Sequence, residues 1–182
     1  MSLSYTSASL IVLVLGLSTA APAPRTSVEH STDDRTALGK FEAVVSYDIA
    51  TGGLAAKKAK NADVRQLGST FEREHRGLLK KTQDLAKSLN ITPTRPKEAP
   101  LAKEHADAMD KLETATGEGF DRAWIANEVK YHTDAIQVLT DTLVPVIQDP
   151  DLKSLVQSAV GAFQGHLAAS QGLAAKYRGR ER

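Results

Sequence analysis

Three histidines, His75, His132 and His166, carry the chemistry this sequence offers, because each falls on the apolar stripe of a different long predicted helix. Neutral imidazole is a common metal ligand, and rings that meet in one interior layer would suit Zn, Cu or Fe. Carboxylates stand within reach of them. Asp48 lies on the preceding helix, Glu72 about one turn before His75, and Glu128 one turn before His132. A site of His75, His132 and His166, with Asp48, Glu72 and Glu128 as its acidic members, is the metal-binding expectation. The competing expectation is structural: each ring bonds a backbone carbonyl or a facing Glu, Asp or Tyr, in a non-enzymatic envelope or stress-associated scaffold that binds other proteins.

Other chemistries find less support. Glu72-Arg73-Glu74-His75 holds one Glu-x-x-His of the kind used by di-iron bundles, but the second copy is missing. Before His132 the spacing to Glu128 is four, and the residue three before His166 is Phe163. That argues against a dinuclear iron oxidase. A redox enzyme would also need an open coordination position. No serine stands in a nucleophile-elbow context, so hydrolysis has no support and the chain reads as a binding protein more than an enzyme.

The elements that must position these residues are helices. Leu38, Phe41, Val45 and Ile49 recur at helical spacing from about residue 35 to Lys60 (helix A). Asn61 is expected to end helix A in a left-handed conformation and Asp63 to cap helix B, whose stripe runs through Val64, Leu67, Phe71, His75, Leu78, Leu85 and Leu89. Pro93, Pro96 and Pro100 exclude continuous helix after Asn90, so a crossover follows, with a short extra helix from Leu101 that stops at Gly117-Glu118-Gly119. Asp121 is expected to cap helix C, marked by Trp124, Ile125, Val129, His132, Ile136, Leu139 and Leu143, with Pro145 bending its last turn. Asp149-Pro150 opens helix D, marked by Leu152, Val156, Phe163, His166, Leu173 and Tyr177. Two antiparallel hairpins, A–B and C–D, joined by one long connection describe an all-α, ferritin-like four-helix bundle over residues 35–177. No segment shows the alternation of a strand, which speaks against a β-barrel.

Register brings the candidates to one level. In an antiparallel hairpin, residues equidistant from the turn are neighbours. Asp48 and His75 are equidistant from the Asn61/Ala62 turn, as are Gly52 and Phe71; His132 and His166 are equidistant from Asp149. At about 1.5 Å per residue these pairs lie roughly 20 Å and 25 Å from their turns, the middle third of helices about 39 Å long. The pairing of Gly52 with Phe71 suggests that a bare backbone makes room for a ring. His105 falls in the crossover helix and His30 near the N-terminus, away from this layer.

Composition fixes the setting. The chain has 182 residues, 41% hydrophobic and 25% charged, with a formal net charge of +1, which gives no electrostatic case for nucleic acid or an anionic membrane. Leu10–Leu17 is a short apolar run followed by Ser18-Thr19-Ala20-Ala21-Pro22-Ala23, and the first charge is Arg25. Residues 1–23 therefore read as a signal peptide cut near Ala20 or Ala23, leaving an exported, periplasmic or extracellular protein with no integral membrane segment. The apolar run is well short of the roughly 20 residues that span a bilayer. A flexible lead-in is expected at 24–34 and a charged tail at 178–182. With no cysteine the protein has neither disulfides nor thiolate ligands.

Several ordered segments, Gly53-Leu54-Ala55-Ala56 to Asn61, Phe71-Glu72-Arg73-Glu74-His75, Gly117 to Trp124, Val129 to His132, and Asp151-Leu152-Lys153 with Gly165-His166-Leu167, span nearly all of the chain after the signal. Together they resemble the family of exported bacterial domains of unknown function numbered DUF4142, often labelled outer membrane proteins. The resemblance implies a ferritin-like bundle. It also implies acidic-His pairs at Glu74-His75 and Tyr131-His132, where Tyr131 replaces the usual aspartate, a helix D histidine at His166, and two helix A carboxylates at positions held here by Asp48 and Ala50.

Overall fold

The computed structural model describes residues 32–179, and the expected signal peptide, His30, most of the expected lead-in and the last three residues of the expected tail lie outside them. The described residues are all-helical: α1 (Thr32–Lys58), α2 (Ala62–Leu89), α3 (Ala102–Thr114), α4 (Gly117–Gln137), a π-helical segment Val138–Leu143, and α5 (Pro150–Gly179). α1 pairs with α2 and α4 with α5, while α2 packs on α5 and α1 on α4; α3 lies against α4 and α1. No helix among the described residues is long and apolar enough to cross a membrane.

Helix ends depart from the sequence expectation where a side chain found a different donor. Asn61 is extended (φ −80°, ψ 133°) and caps α2, its side chain accepting from the Asp63 N–H. Asp63 is thus the capped residue, and α1 stops at Lys58. Asp121 does not cap α4, which starts four residues earlier at Gly117. Its buried carboxylate instead accepts the backbone N–H groups of Lys60 and Asn61, both at 2.9 Å, and the Tyr177 hydroxyl at 2.9 Å. A carboxylate on α4 therefore satisfies the donors exposed by the α1–α2 turn. At the opposite end, Asp34 in the first turn of α1 accepts from the N–H of Gln148 at 2.7 Å and of Asp149 at 3.2 Å.

Asn90, with φ 57°, closes α2 through Asn90 N–H to Lys87 C=O (3.2 Å) and Ile91 N–H to Ala86 C=O (2.8 Å), and buried Ile91 folds back onto the core. The crossover docks on α1 because Gly39 has no side chain: a Cβ there would stand 2.0 Å from the Thr94 carbonyl. Thr94 N–H bonds Arg35 C=O at 2.9 Å. Lys58 reaches across to the last carbonyls of α3, Leu112 at 2.9 Å and Glu113 at 2.7 Å. Ahead of Pro145 the helix does more than bend: it widens into the π-helical segment, with Val144 N–H bonded to Leu139 C=O, five residues back, at 2.9 Å.

Two apolar cores result. One gathers Phe41, Val44 and Val45 with Leu139, Leu143, Leu152, Val156 and Phe163. The other gathers Ala55, Val64 and Phe71 with Leu112, Phe120, Trp124 and Leu173. Each fully buried aromatic contributes roughly 1.5–3 kcal/mol relative to exposure. Along every long helix the residues between the two cores are polar and buried: Asp48 and Thr51, His75, Glu128 and His132, His166 and Ser170.

Gly52 opens space for backbone, contrary to the expected match with the Phe71 ring. A Cβ on Gly52 would lie 2.8 Å from Gly68 C=O and 2.9 Å from Glu72 N, and one on Gly68 would lie 2.6 Å from the Ala55 Cβ. Gly52→Ala must force α1 and α2 apart at a place where neither can give. A lower urea midpoint is expected, from an overpacking cost of about 1–3 kcal/mol in unfolding free energy set against a helix-propensity gain of about 1 kcal/mol. Gly161→Ala, where a Cβ meets nothing within 4 Å, should raise the midpoint instead.

Candidate metal centre

The structure brings Asp48, His75, His132 and His166 together from four helices: each offers one ligand atom, and these atoms lie within 4.8 Å of one another. Ring centroids are separated by 6.1 Å (His75–His132), 4.8 Å (His75–His166) and 5.4 Å (His132–His166). Phe71 stacks on His166 at 4.2 Å, and Phe163 stands edge-on to His75 at 4.9 Å. Hydrocarbon from both cores closes the layer above and below.

Which nitrogens face inward follows from what anchors the others. His75 Nδ1 lies 3.1 Å from Phe71 C=O, and His132 Nδ1 lies 2.9 Å from Glu128 C=O, each four residues back on its own helix. A carbonyl only accepts, so both Nδ1 atoms carry the hydrogen, and in the neutral ring Nε2 is a bare lone pair. His166 is turned the other way, its Nε2 2.8 Å from the Glu74 carboxylate. The atoms left over are His75 Nε2, His132 Nε2, His166 Nδ1 and Asp48 Oδ2, all buried and all without a hydrogen-bond partner among the described residues. Asp48 Oδ2 sits 3.0 Å from His75 Nδ1 and 3.1 Å from His132 Nε2, near enough for an ion pair yet not aligned for a hydrogen bond. Anchoring of a ligand ring through its second nitrogen to a carbonyl or carboxylate is the usual support of a metal-bound histidine.

The electrostatics of the layer pull two ways: ring charge opposite Asp48 favours its carboxylate, while burial favours neutral rings. Burial alone would raise Asp48, but the facing rings of His132 and His75 outweigh it and hold the carboxyl well below the usual carboxylate range. Burial lowers His75 and His166, which favours their neutral, ligating form. Burial, and then the charge of Asp48, raise Glu128 well above its ordinary value.

Among the other sequence candidates, Glu128 is beside the four but not of them: its Oε2 lies 3.6 Å from His132 Nδ1, and its Oε1 accepts from Asn127 at 3.2 Å. Glu72 is not brought into the layer. Its carboxylate is taken by Arg76 at 2.7 Å and 3.0 Å, one turn on along α2, at the surface beside Gly53. His105 stacks on Tyr47 at 4.3 Å, outside the cluster. Tyr131, in the place where a carboxylate was implied, donates its hydroxyl to Val44 C=O, and Ala50 is exposed. Asp48 is held by Thr51, 3.4 Å from its Oδ1, and Trp124 Nε1 donates to Thr51 C=O at 3.1 Å. Glu74 is the participant that sequence reasoning did not assign to the site. Register arithmetic within a hairpin relates α1 to α2 and α4 to α5, whereas Glu74 and His166 meet across hairpins.

The family model for a domain of unknown function, DUF4142, matches residues 18–173. The chain belongs to the DUF4142 family. Among solved structures this DUF4142 chain is similar to a DUF305 fragment from Deinococcus radiodurans, at 14% identity and a TM-score of 0.67, covering 81% of this chain and 98% of that one. At that identity the likeness speaks to the fold. A search of curated proteins finds no match.

The ring assignment is open to direct measurement. Long-range ¹H–¹⁵N correlation spectra of the metal-free protein should show Nδ1–H for His75 and His132 and Nε2–H for His166. A hydrogen on Nε2 of both His75 and His132 would remove the inward ligand set.

Proposed function

We propose that this DUF4142 protein is an exported, ferritin-like helical bundle that binds one transition metal ion through His75, His132, His166 and Asp48, to hold, sense or buffer it. One observation carries the reading: Asp48, His75, His132 and His166 each offer a ligand atom within 4.8 Å of the others, and each keeps one buried atom without a hydrogen-bond partner among the described residues. Orphaned buried acceptors cost about 1–3 kcal/mol each, and a cation satisfies all four at once. Three nitrogens and one oxygen would supply the four ligands that Zn takes, and copper and iron accept the same donors. A closed set suits retention of an ion more than catalysis on it.

Two hairpins joined by a long crossover with a short helix support the ferritin-like description, and the apolar run before Ala20 supports export. The scaffold reading draws on the carbonyl anchors of His75 and His132, but it leaves their second nitrogens without purpose. In a scaffold, single His→Ala changes lower the melting temperature equally with and without chelator.

Titration of metal-free protein with Zn²⁺, Cu²⁺ and Fe²⁺, read by calorimetry and elemental analysis, should give one ion per chain for at least one of them. The triple variant His75→Ala, His132→Ala, His166→Ala should take up none, and Glu74→Gln should bind about 10–100-fold more weakly. Binding should weaken with acid only at a pH below the ordinary imidazole range, since the rings must be free of protons to ligate and burial lowers His75 and His166. An absence of uptake by the wild type, or uptake undiminished in the triple variant, sinks the proposal.

A further inference from the structure

We infer that the ion reaches this centre through the groove between α2 and α5, past Glu74 and His166, a reading that rests on the proposed metal site. The four candidate ligands are not equally placed. Asp48 and His132 are 0% exposed and His75 1%, whereas His166 is 8% exposed. His166 and His75 both line a cleft of about 390 Å³ bordered by Glu74, Gly77, Leu78, Ser158 and Ala162. The cleft between α4 and α5, lined by Arg122, Ala126, Gln171 and Arg178, reaches none of the four, nor does the one between α3 and α4.

The α2–α5 groove is lined in part by small residues, with Leu78, Lys81 and Leu155 also on its wall. Gly77, Ser158 and Ala162 are small and exposed, and a Cβ on Gly77 would meet nothing within 4 Å, so packing does not demand a glycine there. At the inner end stands the imidazole of His166, its Nδ1 buried and unpartnered and its Nε2 held by Glu74 Oε2 at 2.8 Å. Glu74 is half exposed, with Arg73 3.4 Å from its other oxygen. A cation arriving from solvent therefore meets the Glu74 carboxylate first and the His166 ring next. Behind that ring lie Asp48 and His132, with His75 beside it on the wall of the same cleft. Swinging His166 outward breaks one hydrogen bond to a surface carboxylate, whereas displacing His75 or His132 would strip a buried N–H from its carbonyl. His166 is thus the ligand that attaches last on closing and detaches first on release.

A chain without cysteine permits a clean test. A single cysteine is placed in the groove (Ala162→Cys) or in the two clefts that border α4 at once (Ala126→Cys, which lines each of them). Each is capped after folding with either iodoacetamide or a bulky maleimide, so that folding never contends with the bulk. Co²⁺ uptake into metal-free protein, and its release to a chelator, are followed by stopped-flow absorbance. The bulky cap at position 162 should slow uptake and release together, by about tenfold or more, with the equilibrium constant unchanged. The same cap at position 126 should change neither rate. Rates at 162 that ignore cap size, or a loss of affinity with uptake rate preserved, would overturn the entry route while the metal site stands. Failure of uncapped wild type to bind Co²⁺, Zn²⁺, Cu²⁺ or Fe²⁺ would instead remove the site itself.

Discussion

The buried charge of Asp48 is the constraint from which the middle of the molecule follows. A carboxylate at 0% exposure persists only if its surroundings compensate it, and here the surroundings are His75, His132, Thr51 and the neutral form of Glu128. Those partners come from α1, α2 and α4, so the charge cannot be accommodated unless the two hairpins meet in one register. Apolar cores above and below supply most of the folding free energy. The polar layer between them specifies which residues face which.

Each histidine in that layer spends one nitrogen on position and keeps the other in reserve. Phe71 C=O and Glu128 C=O hold the His75 and His132 rings from within their own helices. His166 takes its fixing from Glu74 on another helix, which ties its orientation to the packing of α5 on α2. Two ligands are therefore local properties of their helices. The third is a property of the assembled fold.

The helices and the depth of the layer were legible because both rest on periodicity, which side-chain type reports directly. Asp48 with His75 and His132 with His166 are hairpin neighbours, so counting from the turns located them. What could not be read was which of several partners a carboxylate takes and how closely two backbones approach. Asp121 looked like a cap, since aspartate after Phe120 fits that role locally, but the α1–α2 turn offered it two N–H groups instead. Glu72 looked like a ligand at the right spacing from His75, yet Arg76 one turn away claims its carboxylate at the surface. Gly52 was paired with the correct helix but the wrong atoms, because depth arithmetic gives level and says nothing of how near two backbones come.

Asp121 and Asp34 share a role at opposite poles of the molecule. Each is a carboxylate rooted in one hairpin that receives main-chain hydrogens from the loop of the other: Asp121 from Lys60 and Asn61, Asp34 from Gln148 and Asp149. The hairpins are pinned at both extremities, and between them Trp124 and Tyr131 tie α4 to α1 at the Thr51 and Val44 carbonyls. Between α2 and α5, Glu74 to His166 and Asp63 to Lys176 are ties of side chain to side chain, so parting them costs no backbone group its partner.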